Sequence, residues 1–426
     1  MKEKCTGKIL ETFHGASSHA TSETKLNILV VQETDWIQNL PLQTHHIMEY
    51  LSKKGHSVRV VDFEARWQHE GILGSARSKM IPNVRRTDLQ SSVSLFRPGM
   101  LRVPGIGRLS SFGSQFRVIF EQMARWCDVV VLYSVPTNGV QTILSSKLLS
   151  RPVVFHAFDV LHRMTGYELL RAPTWTLERF VYQRVNKMIV ISASLGKYMR
   201  QIGVPDEDIT LLPPAVDTSK FNPSVDGSAV RKELGIRDDE KVVLFSGFLY
   251  EFSGVDLVLQ SIDDLVKAVP NFRLVVCGEG PLLNRLIQMR QSQGVENYVT
   301  ILGRRPFEQM PSIIAAADAC INPYTEEVRS TFAFPSKIAE YMAAGKSVVA
   351  TDLPGTKSIL SQESGAVLVP IGRFVDSLKV VLKNDDLRRR LGAKCREFSE
   401  EKFSIESVSK TFEGVLSEAV NRQGPT

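Results

Sequence analysis

In the stretch FAFPSKIAEYMAAGKSVVA, Phe332 to Ala350, a lysine and a glutamate stand three residues apart just behind a proline. Pro335 suits the start of a helix, where its missing N–H costs nothing. Lys337 then falls in the first turn, beside free N–H groups and the positive end of the helix dipole. An ammonium there is mildly unfavourable unless an anion joins it. The spacing puts Lys337, Glu340, Tyr341 and Ala344 on one side of the helix, with Ile338, Ala339, Met342 and Ala343 on the core side. A cation with the backbone N–H groups that follow Pro335, those of Ser336, Lys337 and Ile338, suits a phosphate or diphosphate. A carboxylate one turn deeper suits vicinal hydroxyls, as on a ribose. Together they describe a nucleotide-sugar site; a Lys–Glu pair on a solvated helix face is the plainer alternative.

Three neighbouring segments favour the site. GEGP (278–281) follows an apolar run, and Gly278 and Gly280 would let backbone approach a ligand. LGRRP (302–306) sets Arg304 and Arg305 at a second strand end, and NPYTEE (322–327) closes a third.

The elements that must position these residues alternate strand and helix along the chain. Short β-branched runs at 26–31, 57–63, 128–133, 152–157 and 187–192 read as buried parallel strands, and the pattern repeats at 241–247, 273–280, 299–303, 319–323, 347–352 and 365–370. Two doubly wound α/β domains follow, stiffened at their junction by Pro213, Pro214 and Pro223. The expected division is a flexible tail over 1–24, an N-terminal domain over 25–215, a second domain over 216–401, and an amphipathic helix and tail over 402–426. Ligands of such sheets bind beyond the carboxyl ends of the strands, so two facing domains define one cleft.

Composition narrows the class. With 426 residues, 43% hydrophobic and 23% charged, the chain reads as an ordinary globular protein of two or three domains. No run approaches the length of a membrane span, and the N-terminus lacks the apolar core of a signal peptide. Five scattered cysteines argue for reduced thiols in a cytoplasmic protein. Charge is uneven: residues 71–127 carry nine basic residues against Asp88 and Glu121, interleaved with apolar ones in SLFRPGMLRVPGIGRL. Such a stretch suits the surface of an anionic membrane, or equally a solvated basic loop. Nucleic acid is not expected, since no recognition motif accompanies the charge.

The order of GFLYEFSGVDLVLQSI (247–262), LVVCGEGP (274–281), ILGRRP (301–306), ADACINPY (317–324) and PSKIAEYMAAGKSVVATDLPG (335–355) resembles the nucleotide-sugar domain of retaining glycosyltransferases of family 4. LPPAVDTSKFNP is similar to that family's interdomain segment, and KKGHSVRVVDF to its second strand. The resemblance implies the GT-B fold, two Rossmann-like domains facing a central cleft. It implies transfer of a sugar from a nucleotide-diphosphate donor to an acceptor hydroxyl with retention, without metal or other cofactor, in synthesis of a glycan, glycolipid or cell-surface polysaccharide. By position, Glu340 matches the second acid of the E-x7-E motif and would hold the donor ribose. Lys337 and the amides after Pro335 would hold the diphosphate, and Gly278 and Gly280 would border the base or ribose. His156, in FHAFD, matches a histidine facing the donor sugar; a core histidine is the alternative. Strict spacing puts Phe332 at the first acid, and Glu327, with a longer loop, is preferred for that role because phenylalanine cannot bind a hydroxyl through charge.

Departures are specific. The family's Arg and Lys in GR….KG are here Phe248 and Ser253, leaving Lys337, with Arg304 or Arg305, to grip the diphosphate. The glycine-rich turn after the first strand is replaced by QETDWIQNLP (32–41). A non-catalytic GT-B partner that scaffolds an active enzyme is therefore the main alternative, with an epimerase on the same fold behind it. An NAD-type oxidoreductase fares badly, because no G-x-G-x-x-G follows the first strand. The acceptor is expected on the N-terminal domain, lipid-linked or glycan, at the inner face of the membrane.

Overall fold

The computed structural model describes residues 24–422 apart from 39–41, 66, 68–70, 165–167 and 328–330. The expected tail, but for its last residue, lies outside the described residues. Apolar runs with no alternation are buried on both faces, and here they form two parallel sheets with helices on either side.

The first sheet is built from β1 (Asn27–Val31), β2 (Ser57–Val61), and, beyond the short β3 (Gly74–Ala76), from β4 (Lys79–Val84) and β5 (Val93–Arg97). After β6 (Met100–Arg102) it continues with β7 (Val129–Leu132), β8 (Val153–Ala157), β9 (Lys187–Val190) and β10 (Ile209–Leu211). Its order is β10-β9-β8-β7-β1-β2-β5-β4, parallel except for the β4–β5 pair, while β3 and β6 form a separate antiparallel pair. The second sheet contains β11 (Lys241–Ser246), β12 (Phe272–Cys277), β13 (Val299–Gly303), β14 (Ala319–Asn322), β15 (Ser347–Thr351) and β16 (Val367–Val369). Its order, β13-β12-β11-β14-β15-β16, is that of a Rossmann domain, with the switch point between β11 and β14.

The eleven expected strands all form, most of them a residue or more shorter. The basic 71–127 stretch is not one loop, however. It supplies β3 to β6 and a helix, and part of its charge turns inward. Arg97 is buried and pairs with the carboxylates of Asp35 and Asp62, and Arg102 donates to Glu64 at 2.8 Å. Those two guanidiniums fasten the sheet's edge and are not offered to a membrane.

Helices cover both faces. On one face of the first sheet lie α1 (Gln43–Lys53) and the last helix. On the other lie α2 (Phe112–Arg125), α3 (Gly139–Leu149), α4 (Glu168–Tyr182) and α5 (Ala193–Gln201), whose Ile119, Ile143, Val181 and Leu195 share one core. The second domain holds α6 (Val255–Gln260), α7 (Ser336–Ala343) and α8 (Asp385–Lys402).

The final helix, α9 (Ile405–Asn421), crosses back to the first domain. There Phe412 and Leu416 join the core beside α1, and Glu413 receives His56 Nε2 at 2.8 Å. The crossing is pinned where Val216 N–H donates to the Phe403 carbonyl at 2.7 Å and Ile405 N–H returns to Val216 at 3.1 Å. Both inter-sheet connections thus pass one point, the arrangement expected of a hinge between two lobes.

Candidate active site

Helix α7 begins where β11 and β14 part. Its cap, Pro335, is extended, and the Ile338 N–H already donates to the Pro335 carbonyl at 3.0 Å. Of the three amides expected to meet an anion, the Ile338 amide is therefore spent, and Ser336 and Lys337 head the helix. Ile338 itself packs wholly into the core.

The Lys337 side chain runs back under the end of β11. Nζ lies 3.8 Å from the centroid of the Phe245 ring and 4.7 Å from that of Tyr324. A Cβ on Gly247 would stand 3.0 Å from Nζ. Nζ is buried and has no hydrogen-bond partner among the described residues. Burial pushes its pKa down to about 7, against the pull of Glu340. Glu340, half-buried one turn on, is pushed up to about 7 by burial, with Lys337 opposing. Asn322, at the tip of β14, is also buried, and neither its amide oxygen nor its nitrogen finds a partner among the described residues. Lys337 Nζ at the start of α7 and the Asn322 amide at the carboxyl end of β14 are thus two buried polar groups without partners among the described residues, which suits them to receive a polar ligand.

Tyr341 does not join this face. It is fully buried, and its hydroxyl accepts from the Ser246 N–H at 2.7 Å, tying α7 to the end of β11. The helical wheel placed it beside Lys337 because nothing in the spacing shows the Ser246 amide above it.

The glycines have a reason of their own. A Cβ on Gly278 would meet the Gly247 carbonyl oxygen at 1.8 Å, and one on Gly280, at φ +148°, the Leu249 carbonyl oxygen at 2.5 Å. The loops after β11 and β12 are zipped together, Leu249 N–H to Glu279 at 2.8 Å and Leu282 N–H to Leu249 at 3.1 Å. Gly278 and Gly280 hold the floor on which Lys337 rests.

The expected cationic helpers each have a carboxylate partner. Arg304 donates to Glu279 at 3.1 Å, and Arg305 to Glu233 at 2.9 Å. Where the family pattern carries its other cations, Phe248 is half-exposed and Ser253 is buried. Aromatic rings fill the place: Phe248 lies 4.5 Å from Tyr250, Tyr250 stacks on Phe252 at 4.7 Å, and Phe252 meets Tyr324 edge-on at 5.2 Å. Phe248→Arg should raise affinity for a nucleotide-diphosphate sugar about tenfold, the worth of one charge-assisted hydrogen bond. Titration calorimetry reads this directly, and unchanged affinity would put the diphosphate away from the Gly247 turn.

Glu327 is exposed at the end of the loop after β14, where its carbonyl accepts from the Thr331 N–H at 2.9 Å. Phe332 instead reaches the first domain. Its carbonyl accepts from Ser192 Oγ, and its ring lies 6.1 Å from Tyr198 and 5.5 Å from the Arg163 guanidinium. The position that strict spacing gives to an acid is a contact across the cleft.

His156 is the fourth residue of β8 and has no exposed surface. Nδ1 stands 3.3 Å from the Tyr133 hydroxyl, and the ring is walled by Phe158 at 4.4 Å and by Phe412 at 5.7 Å. Burial pushes its pKa down to about 3, so the ring is neutral. The ring packs toward Phe412 of α9, and its Nε2 is buried without a partner among the described residues. Sequence reasoning missed a more open group. His162 Nδ1 lies 2.6 Å from the wholly buried carboxylate of Glu178, and the Tyr198 hydroxyl lies 3.3 Å from the same carboxylate, next to Phe332. No motif announces this cluster; only the fold brings α4 and α5 together there.

Residues 227–398 match the family model described as "Glycosyl transferases group 1", and residues 42–220 match "Glycosyltransferase Family 4". The D-inositol 3-phosphate glycosyltransferase of Nocardia farcinica is 26% identical over 226 residues, 50% of this chain and 49% of that protein. The alpha-D-kanosaminyltransferase of Streptomyces kanamyceticus is 24% identical over 287 residues, 65% of this chain and 72% of that one. The chain thus spans about half the length of the inositol phosphate relative it matches. Among solved structures, Anabaena Alr3699/HepE in complex with UDP superposes with a TM-score of 0.69 at 18% identity, over 92% of this chain and 100% of that one. WaaG, a glycosyltransferase involved in lipopolysaccharide biosynthesis, superposes with a TM-score of 0.64 at 15% identity, over 92% and 99%. Two parallel-sheet domains in the order found here, with the two models covering both of them, lead to one conclusion: the chain belongs to the GT-B glycosyltransferases of group 1, family 4.

Proposed function

We propose that the protein moves a sugar from a nucleotide-diphosphate donor to an acceptor hydroxyl, with retention of configuration and without a metal. The observation that carries this reading is the buried, unpartnered Lys337 ammonium at the start of α7, at the switch point of the second sheet. It rests on the Phe245 and Tyr324 rings, a cation–π position that partly offsets its burial. Turning toward the cleft, it would meet a diphosphate at the helix start, and Glu340 would receive the ribose hydroxyls. As the sugar–phosphate bond breaks, the ammonium, the helix dipole and the Ser336 and Lys337 amides stabilise the departing charge. The acceptor oxygen bonds to the anomeric carbon from the face the diphosphate leaves, and its proton passes to a leaving phosphate oxygen. Closure of the two domains, of which the Phe332 contact is a part, keeps water from the donor.

The UDP complex of the Anabaena neighbour supports a nucleotide donor. For the acceptor we favour a lipid-linked or membrane-bound glycan, met at the N-terminal domain by a cytoplasmic protein resting on the inner face of the membrane. One observation favours a second reading, a non-catalytic GT-B partner: aromatic rings stand at Phe248 where the family pattern carries a cation, and Arg304 and Arg305 are paired with Glu279 and Glu233. A calorimetric screen of UDP, GDP and ADP and their sugar conjugates, with Glu340→Ala alongside, separates the two. Saturable binding of one nucleotide, weakened about tenfold in Glu340→Ala by loss of the ribose contact, is the expected result. No binding by folded wild type would favour the partner.

A further inference from the structure

Where strict spacing puts an acid, the chain runs Phe332, Ala333 and Phe334, and the structure divides these neighbours between the two domains. Phe332 and Ala333 pack against the core of the first domain, the core that contains Tyr198 of α5. Phe334 is buried in the core of the second, with Ile338 of α7. A loop that served its own domain alone would not send adjacent side chains into two cores.

Both attachments are specific. On the first domain the Phe332 carbonyl accepts from Ser192 Oγ, the same oxygen that receives the Leu195 N–H at 3.1 Å and caps α5. The Phe332 ring meets Tyr198 edge-on at 6.1 Å and lies 5.5 Å from the Arg163 guanidinium, which is itself 6.0 Å from the Tyr198 ring. Tyr198 is fixed in turn, because its hydroxyl donates to the wholly buried Glu178 carboxylate at 3.3 Å. The second domain also packs on α5 through its short helix Pro354–Lys357, so this face of α5 lies between the lobes. On the other side, the Phe334 ring stands 5.7 Å from that of Phe403, whose carbonyl receives the Val216 N–H at the hinge. Pro335 follows, and α7 begins. Three residues therefore join the first domain, the hinge and the start of the helix that carries Lys337.

We propose that Phe332 is a positioning residue: docked against Tyr198 and Arg163, it clasps the two lobes and sets the start of α7 against the acceptor side of the first domain. Hinge rotation would pull an aromatic ring out of an apolar pocket and strip its carbonyl of the Ser192 hydroxyl, so the clasp favours the closed form. Lys337 and Glu340 both belong to the second domain, and the clasp therefore governs the distance from donor to acceptor and not the grip on the nucleotide. This gives a phenylalanine at 332 a purpose that a sugar-binding motif does not. The inference rests on the donor site of the preceding section.

The test is small-angle X-ray scattering of the full chain, with calorimetry against UDP, GDP and ADP on the same samples. The radius of gyration, roughly 22 Å for a compact chain of this length, should rise by about 1 Å in Phe332→Ser. Phe332→Tyr, which keeps the ring, should restore the wild-type value. Arg163 is exposed, so Arg163→Ala leaves both cores intact and should open the lobes in the same direction by less. Nucleotide affinity should stay within about twofold of wild type in all three variants. A residue that merely supported its own domain would lower the melting temperature without moving the scattering. The proposal is overturned if Phe332→Ser and Arg163→Ala both scatter as wild type does. A tenfold or greater loss of nucleotide affinity in Phe332→Ser would also overturn it, by placing Phe332 in the donor grip. Wild type that binds none of the three nucleotides would count against the donor site, and the scattering alone would then decide the clasp.

Discussion

Lys337→Met should bind a nucleotide-diphosphate sugar at least about a hundredfold more weakly than wild type, while its melting temperature holds or rises. An ammonium meeting a diphosphate is worth about 3 kcal/mol, and its loss appears entirely in affinity. Methionine keeps the length and the contacts with Phe245 and Tyr324, and it removes a buried charge that has no hydrogen-bond partner among the described residues. A lysine with a purely structural role predicts the reverse, a lower melting temperature with binding intact.

The pH dependence follows from the same pair. With its pKa at about 7 against the ordinary 10.5, Lys337 in the folded protein has lost a proton that the unfolded chain still carries between those values. Its contribution to stability therefore grows from pH 7 to 10.5 and is lost as pH falls through 7. Glu340 has the opposite sign. Raised from 4.5 to about 7, it contributes stability below pH 4.5 that is lost as pH rises through 7. The two together make the pair least favourable near neutrality, where both groups are half-charged. A donor sugar reverses this by drawing a proton onto Lys337. Donor affinity should then fall by up to about tenfold per pH unit above 7, and Lys337→Met should lose that fall. Titrations at several pH values with one donor, whose diphosphate does not itself titrate there, decide the point.

What was readable in the sequence divides along physical lines. The long parallel strands were visible because both of their faces are buried, so β-branched runs persist without interruption. Strands β3 to β6 and β10 were not. Strands β3, β6 and β10 have three residues each, β4 is a largely exposed edge strand that carries Pro82, and β5 (VSLFR), inside the sheet, breaks its apolar run with Ser94 and Arg97. Lys337 announced itself through a charge at an unfavourable helix position. Tyr341 did not, because its hydroxyl is satisfied by an amide ninety-five residues away. His156 shows the limit most plainly: in a strand buried on both faces, sequence does not say which side packs toward α9. Gly278 and Gly280 were expected to clear space for a ligand, and the structure adds that they clear space for another loop.

That second role predicts that Gly278→Ala should cost more than about 3 kcal/mol of stability and abolish donor binding. The added methyl would sit 1.8 Å from the Gly247 carbonyl oxygen, backbone that cannot yield as a flexible side chain would. To make room, the loops after β11 and β12 must part, breaking the Leu249–Glu279 and Leu282–Leu249 hydrogen bonds and moving Gly247 off the Lys337 ammonium. Gly303→Ala is the matched control. Gly303 also ends a strand and has φ +65°, but a Cβ there meets nothing within 4 Å, so only backbone strain of about 1–2 kcal/mol is expected. Chemical denaturation and calorimetry on the two variants separate crowding from strain. If Gly278→Ala bound the donor like Gly303→Ala, the pairing of the two loops could not be what positions Lys337, and the grip on the diphosphate would have to come from α7 alone.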